Sequence, residues 1–128
     1  VPALRDGDLV LTSGQLPFVA GALPATGKVG AEVTPERAQE LARACAVNAV
    51  AAVHELVGDL DRVAQVVKVV GFVASDPAFT GQPGVVNGAS DVLAEIFGEA
   101  GRHARSAVGV AVLPMDAPVE VEITVRVR

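Results

Sequence analysis

Val63-Ala-Gln-Val-Val-Lys-Val-Val-Gly-Phe-Val-Ala74 is the stretch on which the fold turns. It is β-branched and apolar and shows little of the alternation that marks a strand with one wet face. Such a strand is buried on both sides. Asp59-Leu60-Asp61 reads as a turn before it, and Asp76-Pro77 ends it. A chain of 128 residues has room for one domain, residues 1–128, and this strand would run through its middle.

Helices flank it on both sides in sequence. Thr34-Pro35-Glu36 is a helix start: Thr34 caps, Pro35 suits the first helical position, and Glu36 favours the positive dipole end. The helix runs to about Val57 and stops at Gly58. Its expected inner stripe is Ala38, Leu41, Cys45, Asn48, Ala52 and Leu56. Cys45 there reads as a small core residue. Asn48 needs hydrogen-bond partners and reads as glue for a neighbouring loop. A second helix spans roughly Gly84 to Gly98, with Val85, Val86, Ala89, Val92, Leu93, Ile96 and Phe97 on one apolar face.

The ends supply strands. Ala3 to Thr12 reads as two short strands around Asp6-Gly7-Asp8, followed by a Gly/Pro/Ala-rich loop from Ser13 to Gly30. Ala104 to Leu113 and Val119 to Arg128 are strands joined by Pro114-Met115-Asp116-Ala117-Pro118. The order β-β-α-β-α-β-β makes an α+β fold: one mostly antiparallel sheet with two helices on one face. The other face of the two-sided strand then needs a cover, and a partner subunit is the natural one.

Composition narrows the function classes. The chain has four Phe and no Trp or Tyr, so the core is built from Val, Leu and Ala. A net charge of -5 argues against nucleic acid, whose phosphates need a clustered basic surface. Cys45 is the lone cysteine and cannot form an internal disulfide, which favours the cytoplasm. No run reads as a membrane span or as a signal peptide. The chain opens at Val1-Pro2 without Met, which leaves room for a preceding segment.

The last two strands carry the chemistry. Arg105, Ala107, Gly109 and Ala111 share one face of the first, a guanidinium followed by residues with almost no side chain. That is either a shallow pocket floor with a carboxylate anchor at its end, or a surface arginine beside a tight subunit contact. On the last strand, Val119, Val121, Ile123, Val125 and Val127 form one face, and Glu120, Glu122, Thr124, Arg126 and Arg128 the other. Glu120 is either a solvated strand residue or a general acid–base group. A hairpin around Met115-Asp116 would bring Ala111 near Glu120 and Arg105 near Arg126. Arg105 and Glu120 would then lie about six residues, roughly 20 Å, apart. One small substrate could not reach both, so a shared site requires Glu120 from a different subunit.

These residues resemble the RidA/YjgF family, labelled in older naming endoribonuclease L-PSP or translation initiation inhibitor. Ala104-Arg105-Ser106, Leu113-Pro114 and Val119-Glu120-Val121 resemble its C-terminal signature. Ser13-Gly14-Gln15, Leu16-Pro17 and Ala25-Thr26-Gly27 resemble its N-terminal segment, and Asn48 matches the asparagine of its first helix. The resemblance implies a chorismate-mutase-like fold, a homotrimer, and clefts between subunits that hydrolyse reactive enamines and imines such as 2-aminoacrylate to 2-keto acids and ammonia. By that resemblance Arg105 binds the substrate carboxylate, Gly14 and Ala107 line the pocket, Glu120 positions or activates water, and Ser13 supplies a hydroxyl. The ligand-facing asparagine maps to Asn87, with Ser90 the alternative. No metal or cofactor is implied.

The chain departs from that pattern at several positions. Ala107 stands where Cys is frequent, Gly109 where Glu is common, and His103 where Pro is common. His103 could reach the cleft or lie exposed at the strand edge. Thr80-Gly81-Gln82-Pro83-Gly84 looks like an insertion, and the usual N-terminal Tyr is missing. These changes cluster at the pocket. They keep a non-catalytic carboxylate binder in play beside the deaminase, while the acidic balance disfavours RNA cleavage or translation inhibition.

Overall fold

The computed structural model describes residues 1–128. The first strands, β1 (Ala3–Asp6) and β2 (Leu9–Thr12), form a tight hairpin. Helix α1 (Pro35–Val57) begins where expected: the Thr34 hydroxyl accepts the amide of Arg37 at 3.1 Å, and Gly58 closes the last turn. A short turn over Leu60–Arg62, capped by Asp59, leads into β3 (Val63–Ala74). Helix α2 (Gln82–Phe97), β4 (Ala104–Val110) and β5 (Val119–Val127) complete the chain.

The five strands form one sheet in the order β1-β2-β5-β3-β4. Every pairing is antiparallel except β3 with β4. Both helices pack on the same face, α1 against β5 and the first hairpin, α2 against β3 and β4. Arg43 of α1 forks onto Glu95 of α2 at 3.0 and 2.8 Å. Between sheet and helices lies a cluster of 25 buried residues built from Val, Ala, Leu, one Ile and Cys45, with no aromatic member. Phe79 and Phe97 pack at its rim. The stripe expected for α1 holds through Ala38, Leu41 and Cys45. It then rotates to Ala49 and Val53, leaving Ala52 half-buried and Leu56 exposed. On α2, Ile96 is likewise exposed.

The expected hairpin of the last two strands does not form. β3 lies between them, parallel to β4 and antiparallel to β5. Helix α2 is the reason: a strand–helix–strand crossover returns the chain parallel to its starting strand. Both edges of β3 are then used, and the connection 111–118 steps across it. Ala111 therefore lies outside any ladder with Glu120, and Arg105 pairs with Val69 rather than facing Arg126.

Candidate functional site

Register on β3 fixes where the two charged candidates stand. Arg105 is opposite Val69, and Glu120 is opposite Phe72. They are three residues apart along the sheet and two strand spacings across it, roughly 14 Å between backbones. Val69 and Ile123 are buried under the helices and lie at the level of Arg105. Glu120 alternates with the buried Val119 and Val121, so its side chain emerges on the helix-free face. The two groups therefore occupy opposite faces of one sheet, which separates them within a chain more firmly than distance alone.

On the helix side, the guanidinium lies against α2. Nη1 donates to Asn87 Oδ1 at 2.8 Å and to Ser90 Oγ at 3.1 Å, and Nη2 donates to the Pro83 carbonyl at 3.3 Å. All three acceptors are neutral, and Arg105 belongs to none of the chain's ion pairs. Three of its five N–H groups are committed. Nε–H and one Nη2–H remain, a pair able to fork onto a carboxylate. Asn87 and Ser90, the two alternatives for one role, both reach Arg105, as residues three apart on a helix face can.

The floor beside Arg105 depends on close approach. Gly71 of β3 lies under α2, where a Cβ would meet Val86 Cγ2 at 2.5 Å, and this lets the helix sit low enough for Asn87 and Ser90 to reach β4. Ala107 is half-buried against the core. At Gly109 the space of a side chain is taken by Gln82, whose Nε2 would lie 2.8 Å from a Cβ there. That amide donates to Ser75 Oγ at 3.2 Å and to the Phe79 carbonyl at 2.8 Å. An open depression of about 320 Å³ follows, lined by Ser75, Asp76, Phe79, Gln82 and Gly109 among others.

The second cluster surrounds Glu120. Gln15 pairs with Val121 through both backbone bonds, 2.8 and 3.0 Å, which lays Ser13-Gly14-Gln15 along the edge of β5. Gly14 faces the Glu120 carboxylate so closely that any Cβ would collide with it. Asn48 holds the next turn of this segment, its Nδ2 donating to Leu16 O and Phe18 O at 3.0 Å each. Ser13 is exposed, and its hydroxyl donates to the Val1 carbonyl at 2.5 Å, so its oxygen offers a ligand only an acceptor. Burial, reinforced by the charge of Glu122, raises the Glu120 pKa above the usual carboxylate range. Cys45 donates weakly to Val119 O at 3.6 Å, and burial pushes its thiol far up, so it is an inert core residue.

The structure thus brings Arg105, Asn87, Ser90 and Ala107 together on one face and Glu120 and Gly14 on the other, while the Ser13 hydroxyl is engaged by the Val1 carbonyl. Sequence reading missed Gln82 and the Pro83 carbonyl; it left His103 between the cleft and an exposed strand edge, and the structure has it half-buried with Nε2 2.8 Å from Ser90 Oγ. Period-two alternation, which puts residues 103 and 105 on one face, was the available signal for His103. No group of three or more His, Cys, Asp or Glu side chains is arranged to hold a metal.

Comparison with known proteins bears on the family and the fold. A family described as YjgF/chorismate mutase-like, putative endoribonuclease, matches residues 2–125. Protein TCP17 of Trypanosoma cruzi is 52% identical over 119 residues, 91% of this chain and 73% of that protein. The crystal structure of Atu1372 from Agrobacterium tumefaciens is 48% identical and superposes with a TM-score of 0.97, over 99% of this chain and 82% of that one. Escherichia coli TdcF, solved with bound serine, is 25% identical with a TM-score of 0.68, over 100% and 87% of the two chains.

Proposed function

The chain belongs to the YjgF/chorismate mutase-like family, and we propose that it hydrolyses reactive enamines and imines of the 2-aminoacrylate type to 2-keto acids and ammonia, in clefts between subunits of a homotrimer. The observation that carries the reading is Arg105: a guanidinium held by three neutral acceptors, unpaired with any acid, with two N–H groups left for a carboxylate. A serine-bound relative supports a small amino-acid-like ligand.

The chemistry follows from the two clusters. The substrate carboxylate docks on Arg105 above Ala107. An enamine takes a proton from solvent at its terminal carbon and becomes the iminium ion, the protonated imine. Water adds to the imine carbon, and collapse of the amino alcohol breaks the C–N bond and releases ammonia. Glu120 of a neighbouring subunit positions that water, takes its proton, and returns a proton to the departing nitrogen. Burial raises the Glu120 pKa, and a more basic carboxylate is a better acceptor for the proton of the water. Gly14 and Ala107 line the cleft with backbone, and Ser13 offers its hydroxyl oxygen. No metal or cofactor enters this scheme.

Assembly is part of the proposal. The helix-free face leaves Val70 and Phe72 of β3 only partly covered, with Val108, Leu11 and Leu4 exposed around them. A second copy would cover that apolar surface and deliver Glu120 across the boundary. A single domain over 1–128 and a cytoplasmic location belong to the same reading; no helix is long and apolar enough to cross a membrane.

The test is release of 2-keto acid from 2-aminoacrylate generated enzymatically in the assay. Wild type should accelerate it, and Arg105→Ala and Glu120→Gln should each lose about 100-fold or more. Failure of wild type to accelerate release sinks the deaminase. Ala107 and Gly109, which bring neither thiol nor carboxylate to the floor, favour one second reading: a trimer that binds small carboxylates without turning them over. Affinity abolished by Arg105→Ala, without turnover, would establish it. RNA cleavage is disfavoured by the net charge of -5.

A further inference from the structure

Arg105 is wired to a histidine. His103 precedes it by two residues on the same face of the chain. His103 Nδ1 lies 2.6 Å from the Gly101 carbonyl oxygen, and Nε2 lies 2.8 Å from Ser90 Oγ. Ser90 Oγ also accepts from Arg105 Nη1 at 3.1 Å. A carbonyl only accepts, so Nδ1 carries the ring hydrogen. In the neutral imidazole Nε2 is then the acceptor, and the Ser90 hydroxyl donates to it. The Ser90 hydrogen is thereby turned toward His103 and its lone pair toward the guanidinium.

We infer that His103 is a positioning residue: through Ser90 it fixes the plane of the Arg105 guanidinium and so sets the preference of the site for a carboxylate over an uncharged analogue. The inference rests on the carboxylate-binding reading of Arg105 given above. Asn87 alone pins Nη1 at one point; Asn87 and Ser90 together commit both of its hydrogens. If Nε2 is removed, the Ser90 hydroxyl has no fixed acceptor and can swing its hydrogen toward the cation. Nη1 then loses a partner, and the remaining fork of Nε–H and Nη2–H is free to rotate out of register with a carboxylate. The three acceptors around Arg105 are neutral, so orientation can be set without neutralising the charge that attracts the anion. His103 and Ser90 are both half-buried, which shields this relay from competing water.

The experiment uses the full chain, with pyruvate as the carboxylate probe and pyruvamide as its uncharged analogue, titrated by NMR. His103→Phe keeps the ring shape without nitrogens. His103→Gln restores an acceptor at the far end. His103→Phe and Ser90→Ala should each weaken pyruvate binding about 3- to 10-fold, the range for loss of one oriented hydrogen bond, with pyruvamide binding unchanged. The double variant should be no worse than either single one, and His103→Gln should recover most of the loss. Nitrogen spectra of the wild-type ring, which need no ligand, should show the Nδ1-protonated tautomer. Pyruvate affinity unchanged in His103→Phe and Ser90→Ala but lost in Arg105→Ala overturns the relay and leaves the carboxylate site standing. Wild-type protein that ignores pyruvate, or Arg105→Ala that binds it as well as wild type, overturns both. Should His103→Phe fold poorly, Ser90→Ala and the tautomer decide: unchanged pyruvate affinity or a ring protonated on Nε2 overturns the relay.

Discussion

Replacing Asn48 by alanine probes the segment that carries Gly14 to Glu120. The Asn48 amide is half-buried and donates to two carbonyls, Leu16 O and Phe18 O, each at 3.0 Å. A hydrogen bond of this kind contributes about 0.5–1.5 kcal/mol net. Losing two, with water able to reach the freed carbonyls in part, should cost about 2 kcal/mol. In a chain of this size that lowers Tm by roughly 6–10 °C. Asn48→Asp should be worse than alanine at about pH 8, where a carboxylate faces two carbonyl oxygens, and should partly recover near about pH 4, where the carboxyl regains one donor. Denaturant unfolding at matched protein concentration gives the magnitude, since any assembly would make stability concentration-dependent. Amide exchange over residues 15–18 localises the effect. An alanine variant within about 0.5 kcal/mol of wild type, with protection there unchanged, would refute the claim that Asn48 holds this segment.

The remaining predictions concern the two faces of the sheet. Because burial raises the Glu120 pKa, the folded chain holds that proton more tightly than the unfolded one, and this contribution is lost as pH rises through the folded pKa. Glu120→Gln should therefore unfold at higher temperature than wild type at about pH 7 and match it near about pH 3.5, while kcat/KM of wild type should fall on the acid side at a pH above about 4.3. Gly71→Ala should cost about 1–3 kcal/mol by driving a methyl into Val86, and Val86→Ala in the same chain should restore much of it in thermal unfolding. Gly109→Ala should displace Gln82 from Ser75 and Phe79 and cost about 1 kcal/mol, an effect that vanishes in a Gln82→Ala background.

Much of the fold was legible because local signals were strong. Thr34-Pro35-Glu36 and Gly58 bound α1 where the caps act, and the half-buried Asn48 amide serves the neighbouring loop as expected. The apolar density of Val63–Ala74 marked the central strand. Strand adjacency was not legible: Val119–Val127 follows Ala104–Val110 in the chain, and only the α2 crossover, a non-local packing preference, puts β3 between them. The separation of Arg105 from Glu120 survived that error for a different reason, since opposite faces replaced distance along a hairpin. At the site, alternation exposed the Arg105–Ala107–Gly109 floor. It could not reveal that Gln82, from another element, fills the space above Gly109.

The central claim is that Arg105 and Glu120, on opposite faces of one sheet, act together only across a subunit boundary. Complementation between two inactive variants tests it most directly. Arg105→Ala and Glu120→Gln chains, each expected to be nearly inactive alone, are unfolded, mixed in equal amounts and refolded. In a cyclic trimer roughly three quarters of the assemblies are mixed, and each mixed trimer contains one cleft with both groups intact among its three. The account predicts recovery of about one quarter of wild-type keto-acid release. A mixture no more active than its two components would contradict it.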